Sequence, residues 1–121
     1  MSHIENADRP ARFSAEHRMV EGIRVVALRG EIDHDVRAVL SEVLRVEHDA
    51  AAPRVVADLS EVTFMDSSGI NVFVSAHQQV RDAGGWVRIA GAQEPVLRVL
   101  QLVGVDAVIP CHPTVEQALT A

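Results

Sequence analysis

The sequence predicts an α/β fold, a mixed β-sheet packed with about four helices, on three observations. Short β-branched runs, IRVVAL at 23–28, RVVADL at 54–59 and WVRIA at 86–90, alternate with longer stretches whose apolar residues recur at helical spacing. The first run is preceded by a second strand-like segment across the tight Glu21-Gly22 step, which reads as an antiparallel hairpin. The later strands are separated by helices, and right-handed crossovers of that kind make neighbouring strands parallel.

Taken in order, residues 1–11 read as a flexible tail and residues 12–121 as one domain. Phe13 to Val20 and Ile23 to Arg29 form the hairpin, and Gly30 to Asp35, GEIDHD, is expected to break its second strand. Asp33 or Asp35 can then cap a helix carrying Val36, Val39, Leu40, Val43 and Leu44 on one face. RVVADL is apolar on both faces, which suits a central, covered strand. A second helix follows, with Ile70, Phe73, Val74, Ala76, Val80 and Ala83 as its apolar stripe and Gly84-Gly85 as its stop. After the strand WVRIA, Pro95 and Gly104 bracket a third helix with Val96, Leu97, Leu100 and Val103 inward. Val108-Ile109 is expected to be a short last strand, and Thr114 with Gln117 a capping box for a terminal helix through Leu119. The pattern leaves open whether helices cover one face of the sheet or both.

Composition narrows the function. Apolar residues make up 48% and charged residues 23%, a globular balance, and with three Phe, one Trp and no Tyr the core must be aliphatic. A formal charge of −6 disfavours a nucleic-acid backbone or an anionic membrane as partner. The polar opening MSHIENADRP lacks the apolar run of a secretory signal, and no apolar stretch approaches the roughly 20 residues that cross a bilayer. A soluble, cytoplasmic protein is expected. Cys111 is the single cysteine, so no internal disulfide can form, and with His112 it makes only a two-ligand fragment, too little for a metal site. It reads as an ordinary buried thiol near the last strand. No cofactor is implied.

The segment with most chemistry is VTFMDSSG at 62–69, where an apolar strand meets a helix start and brings a carboxylate and two hydroxyls together. Exposed N–H groups and the positive dipole end mean that Asp66, Ser67 or Ser68 can cap the helix there and that a phosphate can be tolerated. Enzyme signatures are missing: the chain has no G-x-S-x-G elbow, H-E-x-x-H or G-x-x-x-x-G-K. Ser67 has no obvious base, although His34, His48 or His77 could approach it in space.

The ordered combination of LRGEID at 28–33, VVADLSEVTF, MDSSG, a helix ending in GG, and WVRIAG resembles the STAS-domain anti-sigma factor antagonists of bacteria, from about Phe13 to Leu119. The resemblance implies a STAS-like mixed sheet and a binding protein with no enzymatic activity. It further implies partner switching, in which the unphosphorylated antagonist binds an anti-sigma factor and frees a sigma factor. That anti-sigma factor is often a serine kinase, and a protein serine phosphatase resets the switch. The acceptor serine of the family carries over to Ser67. Asp66, Ser68 and Gly69 match the same turn, Asp33 matches an acidic position at the partner-binding surface, and Asn71 occupies a first-turn position that is commonly small in the family. A different class of function is also compatible with the module: a constitutive scaffold in a stress-sensing or lipid-transport complex, its serine unmodified. The regulated reading requires the Ser67 hydroxyl to be open to solvent.

Overall fold

The computed structural model describes residues 13–45 and 52–121; the tail expected at residues 1–11 lies outside them. Five strands form one sheet in the order β1-β2-β3-β4-β5: β1 Ser14–Val20, β2 Ile23–Ile32, β3 Arg54–Met65, β4 Trp86–Ala90 and β5 Cys111–His112. β1 pairs with β2 antiparallel, and every later pair is parallel. Four α-helices connect or follow them: α1 Arg37–Val43, entered through a 3-10 turn at His34–Val36, α2 Ser67–Asp82, α3 Glu94–Leu102 and α4 Val115–Thr120. The predicted mixed sheet with four helices is the observed one.

Helices cover both faces, unequally. Val26, Leu28 and Ile32 of β2, Val55, Ala57 and Leu59 of β3, and Val87 and Ile89 of β4 turn one way, into the main core beneath α1, α2 and α3. Ile23, Val25, Val56 and Ala90 turn the other way, where Ala118 of α4 closes a smaller cluster flanked by Trp86 and Leu119. The period-2 side-chain alternation of a strand makes this two-sided burial possible. Arg88 fastens α4 down. Its guanidinium lies 3.6 Å from the Trp86 ring centroid, and Nη1 donates to the Ala118 carbonyl at 2.8 Å, near the helix end where carbonyls lack intrahelical partners.

The break expected within GEIDHD comes at Asp33 and not at Gly30, because β2 continues through Gly30, Glu31 and Ile32 to pair with Val62, Phe64 and Met65. β3 is correspondingly longer than RVVADL. It holds an extra residue at each of two bulges, opposite the steps Ala27 to Arg29 and Gly30 to Glu31. Its core-facing series therefore runs Val55, Ala57, Leu59, Val62, Met65, each bulge moving the next inward residue one place along.

Other departures are local. Val39 and Val74, expected in the helix stripes, are 52% and 41% exposed, while Leu40, Leu44, Ile70, Phe73, Ala76 and Val80 are buried. Val103 caps α3 and is exposed; Val99 packs against the core in its stead. Val108-Ile109 is not a strand, since a 3-10 turn at Val105–Ala107 precedes it and the sheet takes its last pairing from Cys111 and His112. At Thr114 the hydroxyl accepts from Gln117 N at 3.1 Å, giving the predicted cap of α4. Gln117 answers through its side-chain oxygen, which accepts from the Thr114 hydroxyl at 3.4 Å.

At the end of α2, the Gly85 N–H donates to the Val80 carbonyl at 2.9 Å and the Gly84 N–H to the Arg81 carbonyl at 2.9 Å, a Schellman closure with Gly84 at φ +86°. A Cβ on Gly85 would stand 1.7 Å from the Pro53 carbonyl oxygen, which also accepts from Trp86 N at 3.0 Å. Gly85→Ala must displace backbone, so it is expected to lower the denaturant midpoint by an amount worth about 1–3 kcal/mol, with the slope unchanged. Gly84→Ala meets no atom within 4 Å and strains only the left-handed backbone, at about 1 kcal/mol. Urea titrations of the two variants provide the check.

Cys111 is half-buried, and burial, then the nearby Asp106 carboxylate, push its thiol up to about 11 from 9.0. Only the thiolate attacks, so below pH 9 the reactive fraction is about a hundredfold less than that of a free thiol. Iodoacetamide labelling of the folded protein is expected to keep accelerating above pH 9.5, and a rate that levels off near pH 8.5 would contradict the assignment.

Candidate functional site

The carboxyl ends of β2 and β3 finish flush, with Ile32 opposite Met65, and each strand leaves the sheet through an aspartate. Asp66 N donates to the Ile32 carbonyl at 3.1 Å, so the pairing extends one residue beyond the strands. Both aspartates are extended and use the same device. Asp33 Oδ1 accepts from Asp35 N at 3.0 Å and opens the 3-10 turn, while Asp66 Oδ1 accepts from Ser68 N at 2.9 Å and opens α2.

Capping therefore falls to Asp66 among the three residues that could supply it. Ser67 is the first residue of α2, is exposed, and its hydroxyl makes no hydrogen bond with the described residues. Ser68 takes part in the cap through its backbone N–H, so the expected capping role of its hydroxyl is not the observed one. Gly69 is buried: a Cβ there would stand 2.6 Å from Ile32 Cγ2 and 2.9 Å from Met65 Cγ. It serves the turn by letting the first turn of α2 lie directly on the strand ends, with no surface to offer a partner. Asn71 is exposed one turn further on.

Residues three, four and seven apart share a helix face, so Ser67, Asn71 and Val74 form one exposed strip along α2. Phe64, 47% exposed, lies three residues before the serine at the end of β3. Phe64 alternates with the core-facing Met65 and so lies on the sheet face away from α2, which leaves Val74 as the exposed apolar side chain on the serine's own strip. Sequence periodicity missed Val74 by assigning it to the core; the available signal was its position beside Phe73, which already fills the inward direction. His77 is half-buried on α2, ten residues beyond Ser67 and almost three helical turns away, so it is not placed as a base for that hydroxyl. His34 lies on the 3-10 turn and has no hydrogen bond to Ser67, and His48 falls outside the described residues. No group of three or more His, Cys, Asp or Glu that could hold a metal occurs among the described residues, and no helix among them is long and apolar enough to cross a membrane.

This geometry has close counterparts. The chain is 31% identical over 114 residues to an anti-sigma F factor antagonist of Paenibacillus polymyxa, covering 90% of this chain and 92% of the relative. It superposes on the crystal structure of an anti-sigma factor antagonist from Mycobacterium paratuberculosis with a TM-score of 0.81 at 28% identity, over 92% and 94% of the two chains. The phosphorylated form of the Bacillus cell fate determinant SpoIIAA, at 21% identity, shares the fold with a TM-score of 0.60 over 90% of this chain and 97% of that one. The family model for the STAS domain matches residues 14–118, and the chain belongs to the STAS domain family.

Proposed function

We propose that this protein is an anti-sigma factor antagonist. In its unphosphorylated form it binds an anti-sigma factor that is also a serine kinase, so that a sigma factor is released, and phosphorylation at Ser67 ends the interaction. One observation carries this: Asp66 takes over the capping of α2 and leaves the Ser67 hydroxyl exposed and unengaged, on a strip with Asn71 and Val74. A serine needed as a cap could not be modified without loss of that cap. In the transfer, Ser67 Oγ bonds to the γ-phosphorus of ATP, the bond from that phosphorus to the ADP oxygen breaks, and the hydroxyl proton passes to a base on the kinase. A protein serine phosphatase returns the hydroxyl. The protein itself supplies no catalytic group and works in the cytoplasm, without direct contact with nucleic acid or membrane.

The energetic requirement is large and local. Moving occupancy from about 99% to about 1% needs roughly 5.5 kcal/mol of lost affinity at fixed partner concentration. A phosphoryl group brings roughly −1.5 to −2 charges into an interface that must desolvate it, a placement that disrupts docking. Asp33 and Asp66 add their own negative charge next to it, while Val74, on the serine's strip, supplies apolar area that docking buries.

Incubation with the cognate anti-sigma kinase and ATP is expected to add one phosphate, mapped to Ser67 by peptide mass analysis. In pull-downs with that partner, Ser67→Ala should bind as the wild type does and Ser67→Asp should bind at least tenfold more weakly. Equal binding by both variants would remove the switch. Val74→Asp is expected to weaken the same interaction at least tenfold with the thermal midpoint within about 2 °C of wild type, because the side chain is exposed and off the core; unaltered binding would place the interface elsewhere.

A further inference from the structure

Beside Ser67 lies a groove between α1 and α2, lined from one side by His34, Arg37 and Ser41 and from the other by Ser68, Asn71 and Ser75. Each of these six side chains can donate a hydrogen bond, and Val72 completes the lining. In a chain with 17 acidic residues, no carboxylate lines this groove among the described residues. Arg37 is exposed and makes no ion pair or hydrogen bond through its side chain with the described residues. The groove is therefore lined mainly by donors, with a guanidinium unpaired among the described residues, which is the chemistry that receives an anion.

Ser67 itself does not line the groove but is its neighbour in sequence. Ser68 is the next residue, and Asn71, one turn along α2, lies on the edge of the helix that Ser67 shares. On the other side of Ser67 are the carboxylates of Asp66 and Asp33, which repel a second anion even while they accept N–H groups. The geometry points to a phosphoryl group on Ser67 turning away from the strand ends and into this groove, where it accepts hydrogen bonds from the Arg37 guanidinium and the Asn71 amide. Arg37 is then a positioning residue for the phosphate, and the modification fills the groove as well as adding charge. This rests on Ser67 being the modified residue and specifies what the modified state looks like.

The experiment installs phosphoserine at position 67 during translation, so that no kinase is needed, and follows the phosphate by phosphorus NMR from pH 4.5 to 8. Around it lie Asp66 of its own turn, Asp33, His34 and Asp35 of the 3-10 turn, and Arg37 of α1. The carboxylates oppose the dianion and raise its titration midpoint from about 6, whereas the guanidinium favours the dianion and lowers it. Comparing phosphorylated wild type with phosphorylated Arg37→Gln isolates the guanidinium, since the carboxylates are common to both. The comparison is repeated with His34→Gln in both proteins so that the imidazole charge does not enter.

The expected midpoint is about half a pH unit lower with Arg37 than without it, the size an exposed ion pair supports, and the difference should shrink in about 1 M salt. The Arg37 Nε–H resonance should also move on phosphorylation. Equal midpoints, or an Arg37 resonance that does not move, overturn the assignment. Arg37 is exposed and has no side-chain partner among the described residues, so the glutamine variant retains the fold and the comparison stands. A kinase that fails to modify Ser67 bears on the proposed function alone, since the phosphoserine here is made without one.

Discussion

The hydrogen bond from Asp66 N to the Ile32 carbonyl is the constraint on which the candidate site depends. It keeps the parallel strands β2 and β3 flush to their last residues, which places Asp33 and Asp66 side by side at the point where each chain turns into a helix. Gly69 then lets α2 descend onto the Ile32 and Met65 side chains. If the strands ended at different heights, the two Asx turns would not share an edge and α1 and α2 would not flank one groove. The position of Ser67 is thus set by backbone pairing in the sheet, the most rigid part of the fold, although the residue itself sits on the surface.

Much of this arrangement was legible in the residues. The hairpin, the strand WVRIA, the stop at Gly84-Gly85 and the helix after Asp66 each follow a short-range rule, and each is where the rule puts it. What the sequence obscured was the length of β2 and β3. Two bulges in β3 break the alternation after Leu59, so Ser60 and Glu61 look like the end of a strand that continues to Met65, and Gly30 looks like a breaker when it lies within a paired strand. Period-2 reasoning fails at a bulge because one strand gains a residue that its partner lacks.

The helix stripes failed in a more informative way. Val39 and Val74 are apolar and near the inward direction in spacing, yet they face solvent beside residues that already fill the core, Leu40 and Phe73. A valine near the inward direction gains by burial, so periodicity assigns it inward. Single exposed valines are common. Val74 carries weight because it shares its strip with a serine that is exposed and unengaged among the described residues. Chemistry at the site could be read from DSSG; the apolar part of the surface could be read only from which side chains the packing left over.

Under the proposed function, a phosphate at Ser67 would control association from a position where the fold has no need to change. The N-terminus of α2 already has Asp66 on one of its N–H groups, so a second anion there gains no more than about 1 kcal/mol from the dipole and meets repulsion from the carboxylates beside it. The two effects oppose each other, and neither touches the core: Ile70 and Phe73, the first inward residues of the helix, are buried on the other side. With the interior unchanged, the only place the added charge can act is the outer strip and the groove beside it. A switch of the proposed kind would change the surface that a partner meets while the sheet that positions that surface has no cause to move.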